Sequence, residues 1–334
     1  MPRITVAMPV YNDSLYLQES INSILKQKFK DFTLLIIDDG STDNSLNTIS
    51  RYNDKRIKII QHNKNMGRSG ARNTALATAD SEYLAWMDAD DIARTDRLQK
   101  QITFLDEHPQ ISICGGYVLR FNEGTGIAKH PCHLERVVAQ TIFQPAILNP
   151  TAMMRLADLR KISLQYDTEF SRAEDFVFWI QAFLYHNLKG ANLNTILCNY
   201  REFNRKTTSF WHSLAIQKYI VPWLNFSISP EEIAIHAGLS NPQRSQFIQQ
   251  YGLEAIFSWL DRLYIHFKQA HFAYTSVVNT ILQEYAERII SSSPNPITAL
   301  NIYKQTALSH THKPVFLYFR TLARMGKKFV GHLA

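Results

Sequence analysis

Three carboxylates, Asp88, Asp90 and Asp91, follow directly on the mostly apolar run at 82–87. A run of that length reads as a buried strand, which puts the acids at its C-terminal end. Burying an unpaired carboxylate is costly, so a cluster this tight asks for a cation. Oxygen ligands favour a hard ion such as Mg2+ or Mn2+. The C-terminal edge of an open α/β sheet is also where ligands bind. The competing explanation is a solvated acidic loop in which Asp91 caps the next helix. A second acidic pair, Glu174-Asp175, precedes Phe176, Phe178 and Trp179. It could supply a general base, or it could simply suit a helix N-terminus through the macrodipole. A third, Asp38-Asp39-Gly40, has the composition of a turn closed by an Asx bond.

The elements that must position these acids alternate. Residues 4–8, 32–37, 57–60, 82–87 and 111–118 read as strands. Residues 16–26, 43–52, 69–79 and 95–107 read as helices, with Asp43, Thr95 and Asp96 as capping candidates. Apolar strands alternating with helices predict an α/β fold, a mostly parallel sheet covered on both faces. After Gly126 the rhythm weakens. A strand is expected at 147–155, a helix with an aromatic face at 174–185 and a last strand at 192–200. From about residue 207 only helical patterns occur. The expected division is 1–205 for the sheet domain and 206–334 for a helical C-terminal region.

Composition narrows the class. The chain has 334 residues, 45% of them hydrophobic, and a net charge of +7, which favours anionic partners. Cys114, Cys132 and Cys198 have no metal-ligand spacing, and so sparse a set fits a reducing compartment. No signal peptide is visible and no run of roughly 18 apolar residues occurs, so the expected location is cytoplasmic. There is no Walker-type loop, no Gly-x-Gly-x-x-Gly and no interleaved basic and aromatic stripe, so no nucleic-acid partner is expected.

In order and spacing, Met8-Pro9-Val10-Tyr11-Asn12, Asp38-Asp39-Gly40-Ser41-Thr42-Asp43, Asn65-Met66-Gly67 with Gly70-Ala71-Arg72-Asn73, Asp88-Ala89-Asp90 and Glu174-Asp175 resemble the family 2 glycosyltransferases. The resemblance covers residues 3–205. It implies the GT-A fold, a Rossmann-like sheet flanked by helices, and transfer from a UDP-sugar with inversion. Pro9, Tyr11 and Asn12 would line the nucleotide pocket, and Asp39 would accept from the uracil N–H. Arg72 would sit near the uracil or the diphosphate, with an exposed helical arginine as its bland alternative. Asp90 would bind Mn2+ or Mg2+ directly, and Asp88 would contact the ribose or a metal-bound water. Asp175 would be the general base. Phe176, Phe178 and Phe183 read as core, whereas Trp179 stays open as a sugar platform. Asn149–Arg155 with Ala173–Trp179 looks most like bacterial transferases that build lipooligosaccharide or capsule chains from N-acetylhexosamine or galactose. A non-catalytic nucleotide-sugar-binding protein on the same fold is the rival class. A nucleotidyltransferase is a second rival, but Pro9-Val10-Tyr11-Asn12 stands where its glycine-rich loop belongs.

Residues 301–334 contain six Lys or Arg and no acid. On an ideal helix Lys313, Arg320, Arg324, Lys327 and Lys328 share an arc of about 100°. A basic amphipathic segment at 313–330 could touch the anionic inner face of a membrane, which would suit a lipid-linked glycan acceptor. It could equally lay its apolar face on its own domain.

Overall fold

The computed structural model describes residues 1–203, 209–240 and 243–311. The chain divides into two compact units, Met1–Ala215 and Ile216–Ala334. The boundary expected at 205/206 and the basic segment at 313–330 lie outside the described residues.

The first unit opens with β1 (Ile4–Val10), α1 (Leu17–Leu25), β2 (Phe32–Asp38), α2 (Ser45–Ser50), β3 (Ile57–Gln61), α3 (Gly67–Thr78) and β4 (Tyr83–Trp86). It continues with β5 (Ile92–Ala93), α4 (Arg97–Glu107), β6 (Ile113–Asn122), β7 (Ile127–Ala128), α5 (Leu134–Thr141), β8 (Met153–Arg155), α6 (Leu156–Lys161), α7 (Glu174–Ile180), β9 (Gly190–Glu202) and α8 (Ser209–Ala215). The strands form one mixed, mostly parallel sheet in the order β3-β2-β1-β4-β8-β6-β9-β5, with β7 paired to β6. Parallel pairing runs from β3 to β4 and again through the long β6–β9 pair. β8 is antiparallel to both its neighbours and joins the two parallel blocks.

Burial explains why the first block is so regular. Every residue of β2 is buried, as a strand covered on both faces requires. Ile4, Val6 and Met8 of β1 share a core with Leu17, Ile21 and Ile24 of α1 and with Leu98, Ile102 and Leu105 of α4. These helical positions recur at intervals of three and four residues, which is the spacing of a single face.

Departures from expectation have local causes. Residues 147–155 are not one strand: Asn149–Thr151 form a 3-10 turn and only Met153–Arg155 pair. Pro150 has no N–H to give a ladder. The helix expected at 174–185 ends its α-turns at Ile180 and passes into a π-helical turn, Gln181–Tyr185. Asp43 does not cap α2, since Asn44 holds that position; the Asp43 carboxylate accepts from the amides of Ser14 and Ser45. Thr95 does not cap α4 either: Asp96 holds that position, without a side-chain cap bond. The sequence reading missed α5, α6, β5 and β7, all eight residues or fewer.

All described elements of the second unit are helical. Its α-helices are α9 (Val221–Leu224), α10 (Pro230–Gly238), α11 (Arg244–Tyr251), α12 (Leu253–Gln269), α13 (Thr275–Ser292) and α14 (Pro296–Tyr303). Ser229 and Glu232 close a capping box at the start of α10. Ile256, Trp259, Leu260 and Leu263 form the buried stripe of α12. Among the described residues no helix is long and apolar enough to cross a membrane.

Candidate active site

β2, β1 and β4 lie side by side and parallel, so the loops that follow them emerge on one edge of the sheet. Hydrogen bonds fasten these loops together. The Asn12 amide donates to Ser41 Oγ at 3.1 Å, and Asn12 Oδ1 accepts from the Thr42 amide at 2.8 Å. Asn12 adopts a left-handed conformation with φ 55°, which asparagine tolerates better than most residues. Ser20 Oγ donates to the Asp88 carbonyl at 3.0 Å, tying α1 to the acidic loop. Pro9 is half-buried in β1 beside Ile37, and Tyr11 is exposed.

Asp38 accepts from the Ser41 amide and closes the turn, as the Asx reading of that position expects. Asp39 is buried beside it. Its Oδ1 accepts from the Met66 amide at 2.9 Å and lies 2.7 Å from His62 Nδ1. Gly40 has φ 74°, and a Cβ there would stand 2.8 Å from the Lys64 carbonyl carbon. The turn therefore needs glycine both for its conformation and for its close approach to the β3–α3 loop.

The acids after β4 have different surroundings. Asp88 and Asp90 are half-buried, whereas Asp91 has no exposed surface. Asp91 does not cap α4. Its Oδ1 accepts from the Arg201 amide at 2.7 Å, which pins the acidic loop to β9. Burial, then the charges of Asp88 and Asp90, push its carboxyl up to about 9. The Arg201 side chain completes the clamp. Its Nε donates to the Asp90 carbonyl at 2.8 Å, its guanidinium pairs with Glu19, and it lies over the rings of Tyr16 and Phe121 at 4.0 and 4.5 Å.

Arg72 is not the exposed arginine of the bland alternative, being only 5% accessible. Its guanidinium is paired with Glu174 and stands 3.5 Å from Asp88. It lies over the rings of Trp86 and Tyr166. Arg72 thus links the acidic loop to the start of α7. Ala173, with φ 58°, turns the chain into that helix and places Glu174 and Asp175 in its first turn. Glu174 is buried and Asp175 half-buried. Burial, then the neighbouring Glu174 charge, push the Asp175 carboxyl up to about 6, with Arg72 opposing. Trp179 is fully buried and stacks on Phe183 at 6.0 Å, so it belongs to the core and is not a sugar platform.

Sequence reasoning missed His62, Asp13, Tyr200 and Arg201. Burial and then nearby carboxylates, Asp88 among them, raise the Asp13 carboxyl and the Tyr200 hydroxyl. His62 follows β3 directly, and the register that pairs Asp38 with Gln61 brings it beside Asp39 only once the sheet has formed. No local pattern marks any of the four.

Among the described residues no three His, Cys, Asp or Glu side chains are arranged to hold a metal by themselves. Mg2+ sites commonly use only one or two carboxylates when phosphate oxygens and water fill the other positions. Asp88 and Asp90, half-buried at the sheet edge, fit that smaller requirement.

Comparison with known proteins bears on this geometry. Residues 5–168 match the family description "Glycosyl transferase family 2". An uncharacterized glycosyltransferase of Haemophilus influenzae is 31% identical over 224 residues, which are 63% of this chain and 69% of the relative. A UDP-Glc:alpha-D-GlcNAc-diphosphoundecaprenol beta-1,3-glucosyltransferase of Escherichia coli is 28% identical over 200 residues, 59% of this chain and 76% of the relative. In fold, the chain is similar to the crystal structure of S. aureus TarS in complex with UDP-GlcNAc. That match has a TM-score of 0.61 at 20% identity and covers 92% of this chain and 91% of the other.

Proposed function

The chain belongs to glycosyltransferase family 2, and from that premise we propose that it moves a sugar from a UDP-sugar to a hydroxyl of a glycan acceptor, with inversion and with the help of Mn2+ or Mg2+. The observation that carries this reading is Asp175. It is half-buried in the first turn of α7, its carboxyl is raised to about 6, and its neighbour Glu174 is joined through Arg72 to Asp88. A base poised just below neutral pH is ionised when the acceptor arrives and can take its proton.

Asp175 accepts the proton of the acceptor hydroxyl as that oxygen bonds to the anomeric carbon. The bond from that carbon to the β-phosphate oxygen breaks, and UDP leaves from the opposite face. A single displacement of this kind inverts the configuration. Asp90, with Asp88 beside it, would hold a divalent ion, which would supply charge neutralisation for the departing diphosphate. Asp39 reads the uracil N–H, Pro9, Tyr11 and Asn12 line the nucleotide pocket, and Arg72, held by Glu174 and 3.5 Å from Asp88, stands near the uracil or the diphosphate.

The sugar we favour is N-acetylhexosamine or galactose, and the setting is lipooligosaccharide, capsule or exopolysaccharide synthesis at the cytoplasmic side of the membrane. The name of the E. coli relative supports a UDP-sugar donor and a diphosphoundecaprenol-linked acceptor. TarS, which shares the fold, was crystallised with UDP-GlcNAc.

The test separates an enzyme from a binding protein. Asp175→Asn keeps UDP binding and loses transfer to diphosphoprenol-linked glycans by about a hundredfold or more. Transfer at the wild-type rate in that variant would assign the base elsewhere.

A further inference from the structure

We propose that His62 sets the base specificity of the nucleotide site, by filling one oxygen of Asp39 and leaving the other for a single N–H donor. The proposal rests on the uridine reading above. A carboxylate oxygen has two lone pairs. At Asp39 Oδ1 both are taken, one by the Met66 amide at 2.9 Å and one by His62 Nδ1 at 2.7 Å. Among the described residues Oδ2 takes no hydrogen bond. The ring cannot swing away, because His62 Nε2 is held by Thr74 Oγ1 of α3 at 3.0 Å. The His62 amide also donates to the Asp38 carbonyl at 2.9 Å, which fixes the backbone that carries the ring. Both side chains are nearly closed to solvent, with 10% of His62 and 4% of Asp39 accessible.

The bases differ in what they offer such a group. Uracil presents one imide N–H between two carbonyls, and a single free oxygen satisfies it. Guanine presents N1–H beside an exocyclic N–H and pairs with both oxygens of a carboxylate. With Oδ1 filled, guanine leaves one N–H unpaired in a site from which water is excluded, and unpaired buried donors are what polar sites reject most strongly. Adenine and cytosine put a ring acceptor beside the amino group, and a carboxylate repels it. On this account Asp39 supplies the acceptor and His62 supplies the discrimination.

Calorimetric dissociation constants of UDP and GDP for the full chain test the proposal, since the shared diphosphate cancels in their ratio. Wild type favours UDP. His62→Leu opens Oδ1 and narrows the preference by about tenfold or more. His62→Asn puts an amide N–H where Nδ1–H stood and keeps the wild-type preference. A ratio unchanged in His62→Leu overturns the proposal. Should His62→Leu fail to fold, Thr74→Val decides, because it unpins the ring without touching Asp39: a narrowed ratio supports the proposal and an unchanged one overturns it. A wild type that binds no UDP removes the uridine reading and this inference together. A wild type that binds UDP, with the same ratio in His62→Leu, removes this inference alone.

Discussion

Around Asp175 two charges of opposite sign compete. The burial of its carboxyl and the adjacent Glu174 raise it, while Arg72 lowers it, and the balance stands at about 6. If Asp175 is the base, its ionised form is the active one, so kcat/KM falls as pH drops through that value. Glu174→Gln removes the raising charge, and the acid limb then moves to lower pH. The same variant leaves the buried Arg72 guanidinium with a weaker partner and costs about 3 kcal/mol. A pH profile with its limb in the wild-type place would separate Asp175 from the rate. The sequence shows Asp88, Asp90 and Asp175 because acids at a strand end and at a helix start are local patterns. It cannot show that Asp91 serves Arg201, or that Asp39 serves His62. Those bonds join residues 110 and 23 positions apart and exist only once the sheet has formed.

The elements of the first block were legible for a simple reason: two-sided burial makes strands such as Phe32–Asp38 continuous apolar runs. β5, β7, α5 and α6 were not, because two to eight residues carry too little periodicity to register. Residues 147–155 misled because an apolar run surrounds a proline that interrupts the ladder. The connections between elements matter as much to the site. The turn after β2 carries Asp39 and meets the β3–α3 loop at Gly40. Gly40→Ala puts a methyl group against backbone atoms of Lys64 and Asn65 in a left-handed conformation, at a cost of about 2–4 kcal/mol. Gly126→Ala is the control. Its φ is also positive, but nothing lies within 4 Å, so it costs about 1 kcal/mol. Chemical denaturation of both variants checks this, and equal losses would mean that the close approach at Gly40 is unimportant. UDP affinity falls in the first variant only.

At the scale of the molecule, the sheet unit carries every residue assigned to donor and base, while the described elements of the second unit are helical, with α12 supplying a buried stripe. The alternating pattern before residue 120 and the purely helical pattern later were both readable, since each extends over many periods. The net charge of +7 suits an anionic donor but does not identify it. The central claim is that the loops beyond β1, β2 and β4 form a UDP-sugar site that uses a cation on Asp90. The most direct measurement is the melting temperature of the full chain with UDP and UDP-sugars, with and without Mn2+, for wild type and Asp90→Ala. A ligand at a hundredfold excess over its Kd stabilises by about 2.7 kcal/mol, a shift of several degrees. The account predicts that shift for wild type with Mn2+ present, and its loss without the metal or in Asp90→Ala. No shift with any UDP compound, or one indifferent to both metal and Asp90, would contradict it.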